Sequence, residues 1–324
     1  MSTRSAVTIG TFDGVHRGHA ALALRARDFT RTRAGRAIAL VFDPHPLSRL
    51  RPEAAPPPIS TFEQRARWLR ELGIDEVVRL EPTPDRLAQS PEAFIDEIVE
   101  RFNPELLVEG PDFRFGKARA GDVRTLADAG RARPEPERFA VEVIEPVEVA
   151  LDNHTLARAS STLVRWLVAH GRVTDAARVL GRPYELAGTV VRGDRRGRTI
   201  GYPTANLETP LLTPADGVYA GRAALPDGRT FPCAISVGTK PQFGGRVRAV
   251  EAHLLDTPDR AGTTNHDAID GLDEYGWTLR VTFATYLRDQ ARFPSVDELL
   301  EQMARDCDRA RRLADTPASN GAPA

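Results

Sequence analysis

Cysteine is scarce in this chain. Cys233 and Cys307 are the only two among 324 residues, and they lie far apart in the sequence. The closely spaced cysteine pairs that structural zinc sites use are therefore absent, and two distant cysteines form no disulfide scaffold. We expect a protein of a reducing compartment, the cytoplasm.

Long apolar runs and an excess of charge are also missing. No stretch approaches about 18 consecutive apolar residues, and the first ten, MSTRSAVTIG, contain no signal-peptide apolar region. The chain is therefore expected to be neither secreted nor membrane-spanning. Its 44 Lys and Arg against 45 Asp and Glu leave a formal net charge of -1, so the broad positive field that nonspecific nucleic-acid binding needs is lacking. We expect small-molecule partners, and weak homo-oligomerisation stays open.

The first half of the chain alternates strand-like and helix-like segments. Strand patterns occupy 6–10, 37–42, 76–80 and 105–110, and helical patterns occupy 19–32, 61–73 and 91–102. Repeated strand–helix–strand units predict an α/β domain with a doubly wound parallel sheet. Residues 52–58, PEAAPPP, are too rich in proline for either element and predict an extended loop.

After about residue 180 the pattern changes to short alternating segments divided by turn residues. This predicts a small antiparallel β-barrel or sandwich. A final helix at 295–313 begins with the capping pair Ser295 and Glu298. Its predicted apolar face consists of Val296, Leu299, Leu300, Met303, Cys307 and Ala310.

The chain length favours two domains, because one hydrophobic core rarely grows beyond about 300 residues. We expect the first domain at 1–180, the second at 181–313 and a disordered tail at 314–324. Residues 257–271 show no apolar period and are expected to form an enlarged loop.

The stretch GTFDGVHRGH, residues 10–19, places two histidines, an aspartate and three glycines directly after the first strand. Ligands bind at the carboxyl ends of strands in open α/β sheets, and the start of a helix favours a phosphate. His16 and His19 are three residues apart and can share one face of that helix. The pattern predicts a phosphate site. The alternative, that the histidines only cap the helix while the glycines form a turn, stays open.

This stretch resembles the signature of the nucleotidylyltransferase superfamily. Five further segments narrow the resemblance to the prokaryotic bifunctional riboflavin kinase/FMN adenylyltransferase (FAD synthetase) family. In chain order they are FDPHP (42–46), GPDFRFG (110–116), SSTLVR (160–165), GRPYELAGTVVRGDRRGRTIGYPTANL (181–207) and EAHLLD (251–256). The resemblance covers about residues 6–312. It implies an α/β nucleotidylyltransferase domain followed by a riboflavin kinase barrel, with ATP as co-substrate and Mg²⁺ as metal.

In the N-terminal half the resemblance implies attack of the FMN phosphate on the α-phosphorus of ATP, with release of pyrophosphate. Positioning and charge neutralisation supply such a rate without a protein nucleophile. His16 and His19 would hold phosphate oxygens in the transition state, and Arg165 would hold the leaving pyrophosphate. The other residues expected at ATP are Gly10, Asp13, Gly14, Ser160, Ser161 and Thr162. Those expected at the flavin are Asp112, Phe113 and Phe115.

Without the resemblance, SSTLVR is also compatible with a Ser/Thr helix cap followed by a surface arginine. Three residues depart from the pattern of the family. Thr11 stands where many relatives carry asparagine, Pro111 replaces a common acidic residue, and Ala159 replaces a larger aliphatic residue.

In the C-terminal half, residues 188–206 form a strand, a basic loop interrupted by glycines and a polar PTAN segment. Gly193 and Gly197 would let backbone N–H groups approach phosphates. The loop is no Walker motif, because GKS and GKT are absent. An RNA-binding loop is the alternative, but interleaved aromatics are missing. The resemblance implies that Thr204 and Asn206 hold Mg²⁺ and the ATP phosphates.

A kinase also needs a group that accepts the proton of the riboflavin hydroxyl. Strand alternation puts Glu251 and His253 on the face opposite Val250, Ala252 and Leu254. The resemblance implies that Glu251 is the base and that Arg288, in YLRDQARF, contacts the flavin. Without it, a glutamate on a polar strand face is ordinarily solvated.

We therefore expect an enzyme that makes FMN from riboflavin and FAD from FMN. One alternative is a kinase-only descendant, if the three departures have disabled the first domain. Another, of a different class, is a flavin-binding regulatory protein without turnover.

Overall fold

The computed structural model describes residues 4–193, 195, 197, 200–239, 248–257 and 271–314. The expected loop at 257–271 and the expected tail at 314–324 lie outside these residues, except for positions 257, 271 and 314. Contacts divide the chain into two compact units. The N-terminal unit comprises the residues up to Pro56, Thr61–Glu148 and Arg158–Ser160. The C-terminal unit comprises Pro57–Ser60, Val149–Ala157 and the described residues from Ser161 onward.

A five-stranded parallel sheet lies at the centre of the N-terminal unit. The strands of this half are β1 (Ser5–Gly10), β2 (Arg36–Phe42), β3 (Glu76–Leu80), β4 (Pro104–Glu109), the short β5 (Arg114–Phe115) and β6 (Gly121–Asp122), and β7 (Ala140–Val143). The sheet order is β3-β2-β1-β4-β7, and all neighbours are parallel. The direction of winding reverses between β1 and β4, so the carboxyl ends of these two strands form the topological switch point.

Helices cover both faces of this sheet. They are α1 (Arg17–Arg31), α2 (Leu47–Leu50), α3 (Phe62–Glu71), α4 (Pro84–Ala88), α5 (Pro91–Phe102) and α6 (Val123–Ala132). Because side chains alternate along a strand, Val7 packs in a cluster with residues of α5 and α6, while its neighbour Ala6 packs with residues of α1 and α3. The predicted doubly wound sheet is confirmed.

A closed antiparallel barrel forms the centre of the C-terminal unit. After the short β8 (Glu148–Ala150) and β9 (Leu156–Arg158), its strands are β10 (Tyr184–Val191), β11 (Ala205–Glu208), β12 (Gly217–Ala224), β13 (Thr230–Thr239), β14 (Arg248–Leu254) and β15 (Thr278–Arg288). The order is β10-β11-β14-β13-β12-β15. Tyr184, Tyr219 and Phe283 are fully buried, and the last two rings meet edge to face with 5.3 Å between centroids. The closed strand order confirms the predicted barrel and rules out the alternative, a sandwich.

The α-helices that the structure describes in this unit are α7 (Ser161–Ala169), α8 (Val173–Leu180) and α9 (Val296–Leu313). Ser295 caps α9 by accepting the N–H of Glu298, as predicted. Cys307 and Ala310 are buried against barrel residues, but Val296 is 57% exposed. Its predicted place on the packed face was wrong, because the later turns of α9 make the apolar contacts. Among the described residues, no helix is long and apolar enough to cross a membrane.

Candidate functional site

A cavity of about 450 Å³ opens at the carboxyl ends of β1 and β4. All of its lining belongs to the N-terminal unit. The sequence-predicted residues that line it are Gly10, His16, His19, Asp112, Phe113 and Ser160. Lining residues that the sequence analysis missed include Glu109, Glu145 and Arg158. The switch point therefore brings together residues from four separate segments of the chain.

The loop from β1 to α1 has an unusual backbone. Phe12, Gly14 and Val15 adopt φ of 48°, 81° and 39°. Such angles suit glycine but are costly for a β-branched residue such as Val15. Phe12 and Val15 are both buried in the core, and this packing holds the loop in its strained form. Strain of this kind is typical of functional loops. Asp13 is buried within the loop and is not among the residues that line the cavity.

His16 caps the N-terminus of α1, and His19 lies in its first turn. Their rings stack with 3.7 Å between centroids and 23° between planes. Nδ1 of His16 accepts the backbone N–H of His19 at 3.4 Å, so the neutral His16 ring carries its proton on Nε2. A Cβ at Gly18 would lie 3.0 Å from the His16 ring. His16 does cap the helix, but capping uses only Nδ1 and is compatible with a phosphate donor at Nε2.

Glu109 ends β4 and is 1% exposed. Backbone pairing of β1 with β4 stops at Val7 and Leu107, and Oε1 of Glu109 instead accepts the N–H of Ile9 at 2.8 Å. Burial raises the pKa of Glu109 well above its ordinary value. The signal in the sequence is an acidic residue at the end of an apolar strand, LLVE.

The segment after β4 carries the predicted flavin contacts. Asp112 forms an ion pair of 2.5 Å with Arg158, and both side chains are exposed at the cavity. The ring of Phe113 stacks on that of Phe115, with 5.4 Å between centroids. Phe115 itself is buried in the core and is not among the residues that line the cavity.

The SSTLVR segment is divided between the two units. Ser160 lines the N-terminal cavity, whereas Ser161, Thr162 and Arg165 belong to the C-terminal unit. Ser161 begins α7, and Nε of Arg165 donates to the carbonyl of Pro57 at 2.8 Å. The roles of these residues at phosphate stay predictions.

A second cavity, of about 250 Å³, is walled by the barrel and α9. The sequence-predicted residues that line it are Gly197, Thr204, Glu251 and Arg288. The sequence analysis assigned no role to several other lining residues, which include Tyr202, Ser236, His253, Gln290 and Asp306. Glu251 and His253 do share one face of β14, as the alternation predicted.

Asn206 is held beside this cavity by strand pairing. It lies opposite Glu251 in the β11–β14 ladder, so the two side chains share a face. Gly193 packs against it, since a Cβ there would come within 2.2 Å of its amide nitrogen. Gly197 packs on the carbonyl of Tyr202, which a Cβ would approach to 2.1 Å. Both glycines thus permit close packing around the PTAN segment.

His253 and Arg288 are anchored by hydrogen bonds. Nδ1–H of His253 donates to the carbonyl of Pro203 at 2.6 Å, and burial lowers the pKa of His253, which favours its neutral form. This bond holds the residue before Thr204. Arg288 donates to buried Asp306 through Nη2 at 2.8 Å and Nε at 2.9 Å. The predicted flavin contact is therefore also a link between β15 and α9.

The oxygen donors near β11 suit a hard cation. The Thr204 hydroxyl, the Asn206 amide oxygen and the Glu251 carboxylate are the ligand types that Mg²⁺ takes alongside water and phosphate. Among the described residues, no group of three or more His, Cys, Asp or Glu is placed to hold a metal. A cation here would complete its coordination with phosphate and water, so the residues fit Mg²⁺ bound together with a nucleotide.

Family models match two separate parts of the chain. A FAD synthetase family model matches residues 1–157, and a riboflavin kinase family model matches residues 180–314. The chain is 34% identical over 304 residues to the bifunctional riboflavin kinase/FMN adenylyltransferase of Escherichia coli K12, covering 93% of this chain and 90% of the relative. The enzyme of that name from Pseudomonas fluorescens is 35% identical over 310 residues, covering 95% and 92%.

A solved structure also matches almost the whole chain. The crystal structure of a macrolide-efflux protein from Streptococcus pneumoniae has a TM-score of 0.79 at 28% identity, and the match covers 96% of this chain and 95% of that one. The family models and the full-length relatives confirm the resemblance seen in the motifs. The chain belongs to the bifunctional riboflavin kinase/FMN adenylyltransferase family.

Proposed function

We propose that this chain phosphorylates riboflavin to FMN in its barrel and adenylylates FMN to FAD in its α/β unit, with ATP as co-substrate in both steps. The observation that carries the proposal is the presence of two separate cavities, each lined by its own set of predicted phosphate-binding residues. Membership of the bifunctional family supports the pairing of the two reactions.

In the N-terminal cavity, an oxygen of the FMN phosphate attacks the α-phosphorus of ATP, and the bond to the β-phosphate oxygen breaks to release pyrophosphate. Nε2–H of His16, with His19 stacked on it, donates to the oxygens whose charge rises in the transition state. Backbone groups of Gly10 and Gly14 and the first turn of α1 add N–H donors. Asp13 supports this loop from its buried position.

The other predicted residues of this half bind the two substrates. Ser160, Ser161 and Thr162 contact ATP phosphates, and Arg165 holds the pyrophosphate. Asp112 and Phe113 contact the flavin from the cavity wall, and Phe115 supports the ring of Phe113 from the core.

In the barrel cavity, Glu251 accepts the proton of the riboflavin hydroxyl as that oxygen attacks the γ-phosphorus of ATP, and the bond from the γ-phosphorus to the bridging β-phosphate oxygen breaks to release ADP. Thr204 and Asn206 hold the phosphates and Mg²⁺, which when bound neutralises phosphate charge. The hydrogen bond from His253 to Pro203 fixes the segment that carries Thr204. Gly193 and Gly197 let the basic loop approach the nucleotide closely, and Arg288 contacts the flavin from β15.

We assign adenylyl transfer to residues 1–180 and the kinase to residues 181–313. The segments matched by the two family models, 1–157 and 180–314, support this division. We place the enzyme in the cytoplasm, since its expected partners are riboflavin, FMN, FAD and ATP.

Two of the three departures from the family pattern bear on the N-terminal cavity. Pro111 and Ala159 line it, whereas Thr11 is not among the lining residues; the carbonyl of Thr11 accepts a hydrogen bond from Arg65 at 2.7 Å. The altered lining favours a kinase-only enzyme as the second candidate.

Incubation of the purified chain with riboflavin, ATP and Mg²⁺, followed by chromatography, tests these functions. Accumulation of FAD supports both activities, and FMN without FAD supports the kinase alone. Unchanged riboflavin would overturn the kinase, and failure to convert supplied FMN to FAD would overturn adenylyl transfer. Both failures together would favour a flavin-binding protein without turnover.

A further inference from the structure

Glu109 lies where the central sheet divides. Along β1, pairing with β2 continues to Gly10, whereas pairing with β4 stops three residues earlier, at Val7. The carboxyl ends of β1 and β4 are thus no longer joined by backbone hydrogen bonds, and the nucleotide cavity opens at this point. The Glu109 side chain bridges the gap, because its Oε1 accepts the N–H of Ile9 at 2.8 Å. That residue leads directly into the loop that carries His16 and His19.

The residues of β1 and β7 that lie level with Glu109 carry no positive charge that would stabilise its ionised carboxylate. Level with Glu109 are Ile9 on β1 and Val143 on β7. The nearest acid on β7, Glu142, is paired with Arg25 of α1 at 2.6 Å. The ionisable groups that line the same cavity from α1 and the surrounding loops are His16, His19, Asp112, Glu145 and Arg158. Asp112 and Arg158 pair with each other.

The charge state of the Glu109 carboxyl matters because ATP, a polyanion, binds in this cavity in the proposed reaction. Like charges in a poorly solvated site repel strongly. An uncharged acid can accept the Ile9 N–H as a carboxylate does, yet it adds no negative charge beside the phosphates.

We propose that Glu109 is a positioning residue for adenylyl transfer: its uncharged carboxyl joins the separated ends of β1 and β4 without adding a further negative charge to the cavity that accepts ATP. The inference rests on the proposed adenylyl transfer and adds a residue to it. Burial raises the pKa of Glu109, so the uncharged form persists well above the usual range of a glutamate. ATP binding in this cavity then weakens as the pH rises through the pKa of Glu109, whereas the barrel kinase does not share this dependence.

The test measures the KM for ATP in conversion of supplied FMN to FAD across neutral and alkaline pH, for the wild type and for Glu109→Gln. The glutamine keeps an acceptor for the Ile9 N–H but cannot ionise. Above the pKa of Glu109, the wild-type KM should rise by up to about tenfold per pH unit, the slope of a single ionisation. The KM of Glu109→Gln should lack this rise.

Glu105→Gln is the matched control, because Glu105 lies on the same strand, is not among the residues that line the cavity and forms a partly exposed ion pair with Arg4; it should keep the wild-type profile. FMN formation from riboflavin by the same samples serves as an internal control for correct folding and for any effect of pH on ATP itself. A wild-type profile without the rise would overturn the proposal even if the glutamine variant failed to fold, and so would an equal rise in Glu109→Gln. No conversion of FMN at any pH would instead show that the proposed adenylyl transfer is wrong.

Discussion

Asn206 of β11 and Glu251 of β14 face each other directly across an antiparallel strand pair. They are 45 positions apart in the sequence, yet the ladder puts the proposed phosphate and metal ligand beside the proposed base. Because opposite side chains on one face of a strand pair are close neighbours, no further loop is needed to assemble the two. This pairing brings the two proposed kinase residues together within the barrel itself.

Asn206→Ala should abolish FMN formation and leave conversion of supplied FMN to FAD intact. Loss of the Asn206 amide from the proposed phosphate and Mg²⁺ site should lower kcat/KM of the kinase by about 100-fold or more. Separate chromatographic assays of the two reactions measure this. Glu208→Ala, at an exposed position of the same strand, should leave both rates unchanged. Equal damage to both reactions by Asn206→Ala would contradict two independent sites.

His16→Ala should have the reverse effect, since it removes a donor from the adenylyl-transfer site. We expect a loss of about 10²- to 10³-fold in FAD formation, with the kinase preserved. The histidine also caps α1, and loss of a cap costs about 1 kcal/mol of stability.

His16→Asn separates these two roles, because asparagine is a good helix cap without an imidazole. Compared with His16→Ala, His16→Asn should restore the midpoint of thermal unfolding but not the rate of FAD formation. If His16→Asn recovered full activity, the histidine would be a cap and nothing more.

Gly193→Ala should damage the kinase through Asn206. The added Cβ would lie 2.2 Å from the Asn206 amide nitrogen, so the amide has to move, and a misplacement of about 1 Å is enough to cost about 100-fold in rate. Kinase kcat, compared with FAD formation from FMN, measures the effect. Gly238→Ala, where the nearest atom is 3.4 Å away, is the control. An unaffected kinase in Gly193→Ala would mean that the position of Asn206 is not critical.

Asp306→Ala should weaken the attachment of α9 to the barrel. The carboxylate is 4% exposed and pairs with Arg288 at 2.8 Å, so its removal leaves a partly buried guanidinium without this partner, at a cost of roughly 3 kcal/mol. Denaturant unfolding followed by circular dichroism measures the loss. Asp308→Ala breaks a surface pair with Arg311 and should cost less than about 1 kcal/mol. Similar losses in the two variants would show that the Arg288 pair is not structural.

Much of the fold follows from local patterns. Strand β3 and helix α5 occupy the predicted ranges 76–80 and 91–102, because apolar periodicity and the flanking residues specify them locally. Strand β11 was missed, since Ala205–Glu208 has no strand pattern of its own. It is a strand because it pairs with β10 on one side and β14 on the other.

The same distinction between local sequence signals and tertiary contacts applies to the residues of the candidate sites. The pairing of His16 with His19 at the start of α1 was predictable because one short segment, HRGH, supplies both imidazoles. Glu109 and Arg158 were missed as lining residues, since an acid in a strand and an arginine beside a loop are common in any protein.

The sequence by itself determined many of the strands and helices, the segments to which phosphate binding is assigned and the family that the chain resembles, because these depend on residues that are close along the chain. Only the tertiary structure decided that β1 and β4 part beside a buried Glu109, that Asn206 meets Glu251 and that Arg288 is tied to α9. The physical reason is that strand pairing and core packing bring together residues that are many positions apart in the sequence. The surroundings of each side chain in the folded protein then determine its charge state and its position.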